Sequence, residues 1–456
     1  MKNKKIVVLL KYYKGELNPF DGAALECALE TGAKEISALS MAPMSVMNAF
    51  QGLTRLGVKG VFVSDPLYAG SDTQATSLVL EKALKRINPD LVFCGRQSVD
   101  GDTAQVPPML AQRLGFAVKT KAIAFDGKQI TLRNGESFIP QDKTVITFEK
   151  IRTLRFPSIF SKLGEVEIWD NSVLQLPKEK CGLKGSPTRV VKSYESSVGR
   201  RNCQFVAADR LSALIEQGLQ KQRAEQAQCV ENKLNEVYFV GKVKSIAERI
   251  AQKAIELETE NKTAEEIADE LKTKSVKTVL WEDSEKLKIL ASQVAVLTQA
   301  GLCADCISFR VENEKFVMTR PALGGNITAD IVCDSDIAFA TVRTVKKQGA
   351  DVIFSVGKGA VEYIDKIEKL AEKYGAELCC SRIVADSGRL PYEKQVGLTG
   401  KTVSPKVYVA FGISGAVQHT CAIEGAGTVI AVNVDKQARI FDYADYGIIA
   451  EVKNVN

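Results

Sequence analysis

Short apolar runs alternate with amphipathic stretches throughout the first 117 residues, and this alternation is compatible with few folds. Four runs are typical of buried strands: 6–10, 35–40, 60–63 and 91–94. Three stretches between them have helical periodicity: 21–30, 45–56 and 73–87. Because strands joined through helices pair in parallel, the pattern predicts an α/β fold whose parallel sheet is covered on both faces. Ligands of such sheets bind beyond the carboxyl ends of the strands.

The loops at those carboxyl ends carry hydroxyl, amide and acidic side chains where helices are predicted to begin. Backbone N–H groups at a helix start attract phosphate, so two such loops at one sheet edge favour a nucleotide site. Its candidate side chains are Thr73, Thr76, Asp102, Thr103 and Gln105. An equally open alternative is that Asp72 and Asp102 only cap helices, because Asp is a favourable N-cap residue.

Composition places the chain among ordinary globular proteins. Its 456 residues suffice for roughly three domains, and 45% hydrophobic with 25% charged residues is usual for that class. The net charge of +6 is spread along the chain, which argues against a nucleic-acid partner. The first apolar run is short and no run has the length of a bilayer span, so we expect neither a signal peptide nor membrane insertion.

The eleven cysteines are scattered and odd in number, a pattern that predicts reduced thiols and a cytoplasmic location. Cys303 and Cys306 form a single CxxC pair, and neither a second pair nor a histidine lies nearby in the sequence. Structural zinc sites combine four such ligands. We therefore interpret this pair as part of the core and predict no metal site.

The most informative stretch near the C-terminus is 395–419. Its centre, 406–411, predicts a buried strand bounded by Pro405 and Gly412, and a glycine-bearing turn with a hydroxyl flanks it on each side. Glycine lets the backbone approach a ligand closely, and the helix predicted after the second turn carries His419, the one histidine of the chain. Because a single histidine is more often a satisfied core or surface residue, an ordinary strand–turn–helix unit is the alternative.

Several ordered motifs in this region resemble the flavin-binding domain of the alpha subunit of electron transfer flavoproteins. They are 355–359, 381–382, 395–419, 431–435 and 444–447. The loops of the first 117 residues, with 154–159 and 185–188, resemble the beta subunit of that family, and 319–326 with 341–343 resembles the end of the first alpha domain. The resemblance implies a natural fusion of a beta subunit with a shortened alpha subunit, closest to the type that holds two FAD and reacts with NADH.

The resemblance also implies a domain division. Residues 1–195 are predicted to be a beta-like domain, 276–348 a shortened alpha N-terminal-like domain, and 349–456 the alpha C-terminal α/β FAD-binding domain. The first two are expected to be parallel-sheet nucleotide-binding domains of the adenine nucleotide alpha hydrolase-like type. Periodicity predicts a helical connector at 196–275, with a capping box at Thr263 and Glu266 and one apolar face formed by Ile246, Ile250, Ala254 and Leu257.

By the same resemblance, His419 lies at the flavin N1 and C2 carbonyl, the Thr399 hydroxyl points to N5, and Arg382 lies against the ring. These three are the predicted catalytic residues. A donor near that carbonyl stabilises the negative charge that reduction places there, as in an oxyanion hole. The predicted FAD contacts are Lys358, Ser381, Arg382, Gln395, Val396, Gly397, Leu398, Thr399, Gly400, Gly412, Ile413, Ser414, Gly415, Ala416, Gln418, His419 and Asn433.

Four positions depart from the pattern of the family that the chain resembles. Leu398 stands where the family usually has Gln, Lys358 where it has Arg, and Pro107 and Ala42 where it has Gly. The excursion after Lys11 is also short. Lysine keeps the charge of arginine but loses its bidentate fork. We therefore expect FAD to bind with a shifted reduction potential, and the changes near Lys11 and Pro107 bear on the first nucleotide site.

The implied function is an FAD-carrying electron carrier between a flavin dehydrogenase, such as an acyl-CoA dehydrogenase, and an acceptor. The alternative is an electron-bifurcating flavoprotein that oxidises NADH through a second FAD in the beta-like domain, where other family members hold AMP. A structural or nucleotide-sensing protein without redox activity is a third class, which the set of His419, Thr399 and Arg382 disfavours. We expect the functional unit to be the fused chain as a monomer or homodimer.

Overall fold

The structure is a computed structural model and describes residues 1, 3–195, 200–220, 232–312, 315–323, 327–343, 350–397 and 400–455. The chain divides into two compact units. The first contains the described residues of 1–193, 230–323 and 329–343, and the second contains those of 194–229, 324–328 and 344–456. Among the described helices, none combines the length and apolarity that crossing a membrane requires.

The elements follow one another in three segments. The first has β1 Lys5–Leu10, β2 Tyr12–Tyr13, β3 Glu16–Leu17, α1 Pro19–Glu30, β4 Glu35–Met41, α2 Met47–Gly52, β5 Lys59–Val63, α3 Thr73–Ile87, β6 Leu91–Gly95, α4 Val106–Leu114, β7 Ala117–Phe125, β8 Ile130–Leu132, β9 Ser137–Phe138, β10 Thr144–Phe148, β11 Val166–Trp169, α5 Asn171–Leu174 and β12 Thr188–Glu195. The second has β13 Gln204–Val206, α6 Leu211–Gln220, β14 Leu234–Val240, α7 Lys244–Ile250, β15 Ala251–Glu256, α8 Ala264–Thr273, β16 Thr278–Glu282, α9 Glu285–Thr298, β17 Gly301–Cys306, β18 Ser308–Glu312, β19 Lys315–Ala322, β20 Ile327–Cys333 and β21 Ala338–Val342. The third has β22 Val352–Val356, α10 Ile364–Lys373, β23 Glu377–Cys380, α11 Arg382–Asp386, β24 Val407–Phe411, α12 Val417–Thr420, β25 Thr428–Asn433 and β26 Tyr446–Ile449.

A nine-stranded sheet forms the centre of the first segment, in the order β11-β5-β4-β1-β6-β10-β7-β8-β9. The pairs from β11 to β7 are parallel, and β8 and β9 add antiparallel hairpins. Strand β1 is buried on both faces, because Ile6 and Val8 pack into one core and Val7 and Leu9 into the other. The predicted α/β fold, with a parallel sheet covered on both faces, is confirmed.

The middle segment repeats this strand order. Its five-stranded parallel sheet has the order β15-β14-β16-β21-β17, which matches β4-β1-β6-β10-β7 position for position along the chain. A four-stranded sheet, β12-β20-β19-β18, lies against one face of it. Phe309, Met318 and Ile331 of the smaller sheet pack on Phe239 and Leu280 of the larger one. Both sheets belong mainly to the first unit.

The second unit is built on a six-stranded parallel sheet in the order β13-β26-β25-β24-β22-β23. Helices α6, α10 and α11 pack on one face, where Leu211 and Ile215 of α6 are completely buried. Loop residues such as Ile423 and Ile440 cover the other face. The unit is discontinuous in sequence, because β13 pairs with β26 and comes from a stretch far upstream of the other strands.

The prediction that 196–275 is wholly helical is wrong. Residues 234–240 and 251–256 form β14 and β15, which pair through Tyr238 and Ile255. Helix α7 ends at Ile250, so Ala254 lies on a strand rather than on the predicted helix face. The apolar spacing is helical, but pairing with a buried parallel neighbour overrides local periodicity. The predicted capping box at the start of α8 is confirmed.

One predicted helix is interrupted, and two predicted domain boundaries lie at or beyond the edge of the described residues. The stretch 45–56 is not one helix, since α2 has a 3₁₀ turn on each side, at Met44–Val46 and Leu53–Leu56. The boundaries predicted after 195 and after 348 adjoin or lie within residues outside the described ranges, and they stay a prediction. The compact second unit nevertheless includes β13 and α6.

Candidate functional site

The carboxyl edge of the six-stranded sheet brings four loops together. Strand β22 lies between β23 and β24, so the chain crosses from one side of β22 to the other. In open parallel sheets, ligands bind at such a switch point. The loops begin at Gly357 after β22, Ser381 after β23, Gly412 after β24 and Val434 after β25. These loops carry most of the predicted FAD contacts.

Close packing between the loops requires glycine at several positions, among them Gly357 and Gly412. A Cβ on Gly357 would lie 2.3 Å from the carbonyl oxygen of Gly412, and a Cβ on Gly412 would lie 2.4 Å from the nitrogen of Ala360. Gly412 also has a φ of +60°, a conformation in which a Cβ is strained. The sequence predicts that such glycines let a ligand approach closely, whereas neighbouring backbone already requires Gly357 and Gly412.

His419 lies at this edge in α12, which is a single helical turn rather than the start of a longer helix. Its side chain is buried, and Nε2 is 2.8 Å from Oη of the fully buried Tyr408. Burial lowers the pKa of His419 from 6.5 to about 4, and the backbone of Val396 partly offsets this effect. The imidazole is therefore neutral at pH 7.

The turn that precedes β24 packs beside His419. Gln395 and Val396 are buried. Gly397 has a φ of +148°, and a Cβ there would lie 2.9 Å from the carbonyl oxygen of Gln418, next to the histidine. The turn therefore places its backbone against α12, as expected for a shared site. Two predicted contacts of this turn lie outside the described residues: Leu398 and Thr399.

The other predicted FAD contacts differ in their surroundings. The buried Oγ of Ser381 has no hydrogen-bond partner among the described residues. Arg382 is partly exposed, and its Nε lies 3.4 Å from a carboxylate oxygen of Asp386. Asn433 donates from Nδ2 to the carbonyl oxygen of Ile413 at 2.9 Å. Four contacts are exposed side chains: Lys358, Ser414, Ala416 and Gln418.

This arrangement fits an FAD. The ammonium group of Lys358 and the hydroxyl of Ser414 offer a cation and a donor at the switch point, where phosphate binds in such sheets. The unpartnered Ser381 Oγ and the neutral His419 can hydrogen-bond to the polar edge of a ring. Gly415, with a φ of +84°, is required by neighbouring backbone, because a Cβ there would lie 2.0 Å from the nitrogen of Ile440.

A second candidate site lies in the first unit, beyond the carboxyl ends of β1 and β6. These strands form the switch point of the nine-stranded sheet, and a cavity of about 830 Å³ is found there. That volume is within the usual range of ligand pockets. Apolar side chains of β1, β4 and β5 line one part of it, and hydroxyl and amide groups line another. Four of the predicted residues line the cavity: Thr73, Thr76, Thr103 and Gln105.

The two acidic residues of this region have different roles. Asp72 caps α3, because its Oδ1 accepts from the N–H of Ala75 at 2.9 Å, in agreement with the capping interpretation. Asp102 does not cap α4, which begins at Val106. Its Oδ1 accepts from Nε2 of Gln97 at 2.8 Å, and it is not part of the cavity wall.

Asp21 joins the two loops at the switch point. Its carboxylate accepts from the N–H of Lys11 at 2.8 Å and from the N–H of Gly95 at 2.8 Å. Burial raises the pKa of Asp21 to about 6, although both backbone hydrogen bonds lower it. The Lys11 ammonium group pairs with Asp100 at 2.8 Å. These contacts hold the cavity wall in place.

The corresponding edge of the five-stranded sheet is occupied by ion pairs. Asp283, which follows β16, lies 2.7 Å from Nζ of Lys288. Asp305 of β17 accepts from Nε of Arg343, which follows β21, at 2.8 Å. These buried or half-buried charges pair with one another. The repeated strand order therefore has a cavity at the edge of the nine-stranded sheet and an ion-pair cluster at the edge of the five-stranded sheet.

Two family models match the chain. That of the electron transfer flavoprotein domain matches residues 6–134 and 244–366, and that of the electron transfer flavoprotein FAD-binding domain matches residues 347–424. The first model alone covers more than half of the chain. The chain belongs to the electron transfer flavoprotein family. Each match of the flavoprotein domain covers most strands of one copy of the repeated strand order, and three of the four loops of the candidate FAD edge, those after β22, β23 and β24, lie in the matched FAD-binding domain.

Several curated flavoproteins are similar in sequence. The electron transfer flavoprotein subunit alpha of Thermoanaerobacterium thermosaccharolyticum is 34% identical over 212 residues, which cover 36% of this chain and 64% of the relative. The acryloyl-CoA reductase electron transfer subunit beta of Anaerotignum propionicum is 36% identical over 205 residues, with 34% and 56% covered. A subunit alpha from Methylophilus methylotrophus is 47% identical over 108 residues, with 23% and 34% covered. The chain thus spans less than two thirds of the length of these relatives.

Tyr408 and Arg320 are among the residues at the candidate sites that were not predicted. Tyr408 sits within a strand whose other side chains are apolar, so the sequence reads it as core. Arg320 lies in the 319–326 motif, which carries the resemblance to the first alpha domain, and Arg320 also lines the cavity of the first unit. A buried-strand tyrosine and an arginine beside proline are the signals that could have drawn attention to them.

Proposed function

We propose that this chain is an electron carrier that holds FAD at the carboxyl edge of β22 to β25 and passes electrons from a flavin dehydrogenase to an acceptor. The observation that carries the proposal is the convergence of Lys358, Ser381, Ser414 and His419 on that edge, beside or within the matched FAD-binding domain. FAD supplies the redox chemistry, since its ring takes up and releases electrons. The chain supplies binding, orientation and electrostatics.

Each residue has a role in this proposal. Lys358 and Ser414 bind the pyrophosphate, and Arg382 borders the ring. When Oη of Tyr408 donates to Nε2 of His419, the neutral imidazole carries its proton on Nδ1 and donates it toward the flavin carbonyl. The further contacts taken from the family resemblance are Ser381, Gln395, Gly397, Thr399, Gly400 and Asn433.

The domain arrangement is part of the same proposal. The N-terminal part acts as the beta-like part, and the C-terminal part, which includes the five-stranded sheet and the FAD-binding domain, acts as a shortened alpha part. Two matches of the flavoprotein domain followed by one of the FAD-binding domain support this proposal. The partner is a dehydrogenase that acts on acyl-CoA compounds, because a similar protein is named as an electron transfer subunit of an acryloyl-CoA reductase. With both parts on one chain, the functional unit is a monomer or homodimer.

The cavity beyond β1 and β6 favours a second candidate function. It is lined by Thr73, Thr76 and Thr103 and lies at a switch point, as a nucleotide site would. An FAD bound there would allow NADH oxidation with electrons divided between two flavins. An AMP bound there would leave the chain a one-flavin carrier.

Purified full-length protein tests both candidates. We expect a flavin absorbance spectrum, and chromatography of acid-released nucleotides decides between the candidates. One FAD with one AMP per chain supports the carrier, and two FAD per chain supports the second function. Anaerobic mixing with NADH is the independent test, because rapid loss of flavin absorbance occurs only in the second case. A folded chain that neither contains nor takes up FAD contradicts both.

A further inference from the structure

Arg320 places a buried guanidinium group against the cavity of the first unit. The side chain is 6% exposed and lines the cavity from the end of β19. Its Nη1 donates to the carbonyl oxygen of Gly101 at 2.7 Å. Nε and Nη2 are buried and have no hydrogen-bond partner among the described residues. Two of the donor groups of this cation therefore remain available.

Charges near Arg320 do not account for these free donors. Asp305 is committed to Arg343, whose Nε donates to it at 2.8 Å. Lys11, the other cationic side chain in the described cavity wall, is itself paired with Asp100. Burying a cation without full compensation is unfavourable, so such a group is normally matched by an anion in at least one state of the protein.

The helix starts at the cavity supply few donors of their own. Helix α4 has Pro107 and Pro108 in its first turn, and proline has no N–H group. The carboxylate of Asp72 occupies the start of α3 as its cap. The helix starts alone therefore offer an anion few donors, and Arg320 adds a planar guanidinium group, which suits a phosphate.

We propose that Arg320 binds the phosphate group of the nucleotide in this cavity. The inference rests on the proposed second nucleotide site and adds to it that the site is composite. Loops of the N-terminal segment surround the nucleotide, and the cation comes from β19, 219 positions further along the chain than Gly101. Nucleotide binding then fastens the two segments of the first unit to each other.

The test compares Arg320→Met with the matched variant Arg189→Met in full-length protein freed of the nucleotide of the first unit. Arg189 is exposed, pairs with Asp334 and does not line the cavity, so its loss changes the net charge equally. Calorimetric titrations use AMP, ADP and adenosine. Loss of a charged hydrogen bond predicts that Arg320→Met binds AMP and ADP about 10- to 100-fold more weakly, while adenosine binding stays the same.

Thermal unfolding with and without AMP is a second measurement, and it distinguishes phosphate binding by Arg320 from a purely structural role. Without nucleotide, Arg320→Met should unfold at the same or a higher temperature than the wild type, because a poorly compensated cation has been removed. With saturating AMP, the wild type should gain more stability than the variant. Arg189→Met should behave like the wild type in both binding and nucleotide response.

The possible failures are distinguishable. If Arg320→Met weakens adenosine as much as AMP, or lowers the unfolding temperature equally with and without AMP, the residue is structural and the inference is wrong. If the variant binds AMP as tightly as the wild type, the inference is also wrong while the nucleotide site stands. If wild-type protein binds neither AMP nor ADP, the proposed second site itself fails. A greater loss for ADP than for AMP would identify the bound group as a pyrophosphate.

Discussion

Replacing Tyr408 with Phe tests the hydrogen bond between Oη of Tyr408 and Nε2 of His419. The change removes one oxygen atom and keeps the ring, so the packing around this fully buried residue is almost unchanged. It leaves Nε2 of His419 buried without a partner. A buried polar group that loses its partner costs about 1–3 kcal/mol. We expect the β22–β24–β25 region to lose stability by this amount.

Hydrogen exchange of backbone amides measures this loss where it arises. At about 1.4 kcal/mol per factor of ten, amides of β22, β24 and β25 should exchange roughly 5- to 150-fold faster in Tyr408→Phe. The five-stranded sheet of the first unit should be unchanged. Tryptophan fluorescence cannot replace this measurement, because both tryptophans, Trp169 and Trp281, belong to the first unit.

Tyr392→Phe is the matched control. It removes the same atom from a hydrogen bond to Asp386, but the ring is exposed, so water replaces the lost partner and the cost should be about 0.5 kcal/mol or less. Equal exchange rates in Tyr408→Phe and wild-type protein would refute the reasoning. Such a result would mean that Nε2 finds another partner, and the assignment of the histidine tautomer would fall with it.

Three other variants have defined outcomes. His419→Asn should remove a pH dependence of the free energy of unfolding. The pKa of His419 is about 4 in the folded protein and 6.5 in the unfolded protein, so the wild type loses about 3 kcal/mol of stability as the pH falls from 6.5 to 4. Unfolding titrations at several pH values measure this loss. Gly412→Ala should destabilise the protein by about 2 kcal/mol more than Gly375→Ala in urea unfolding, since both have φ near +60° but only the first meets backbone atoms. Lys358→Met should weaken FAD binding about tenfold in equilibrium dialysis, and an unchanged affinity would remove Lys358 from the phosphate site.

The main strands and helices of the parallel sheets were predictable because the local sequence signals and the tertiary packing agree. Helix α3 begins and ends where periodicity predicts, since Asp72 caps one end and apolar residues repeat along one face. The predicted strand 406–411 differs from β24 by one residue. Turn residues lie at the ends of both α3 and β24, and the tertiary packing of these two elements agrees with their local sequence pattern. The carboxyl-edge loops then followed from the parallel topology.

The remaining features depend on contacts between distant parts of the chain. Strands β14 and β15 formed where helical spacing was read, because their parallel pairing outweighs it. The contact between Arg320 and Gly101 joins residues 219 positions apart, and no local pattern encodes it. The tyrosine at 408 has the hydrophobic character of its strand, so only the fold reveals that its hydroxyl meets a histidine.

The upstream origin of β13 and α6 has a consequence for synthesis on the ribosome. Residues 204–220 are translated roughly 240 positions before their partner β26, a delay of roughly 10–50 s at about 5–20 residues per second. Meanwhile Leu211 and Ile215, which end up completely buried, have no sheet to cover them. The first unit has all of its strands once Arg343 has been added, so it should fold first. A nascent chain stalled before β22 should therefore bind a chaperone through α6, whereas a chain stalled after β26 has emerged should not.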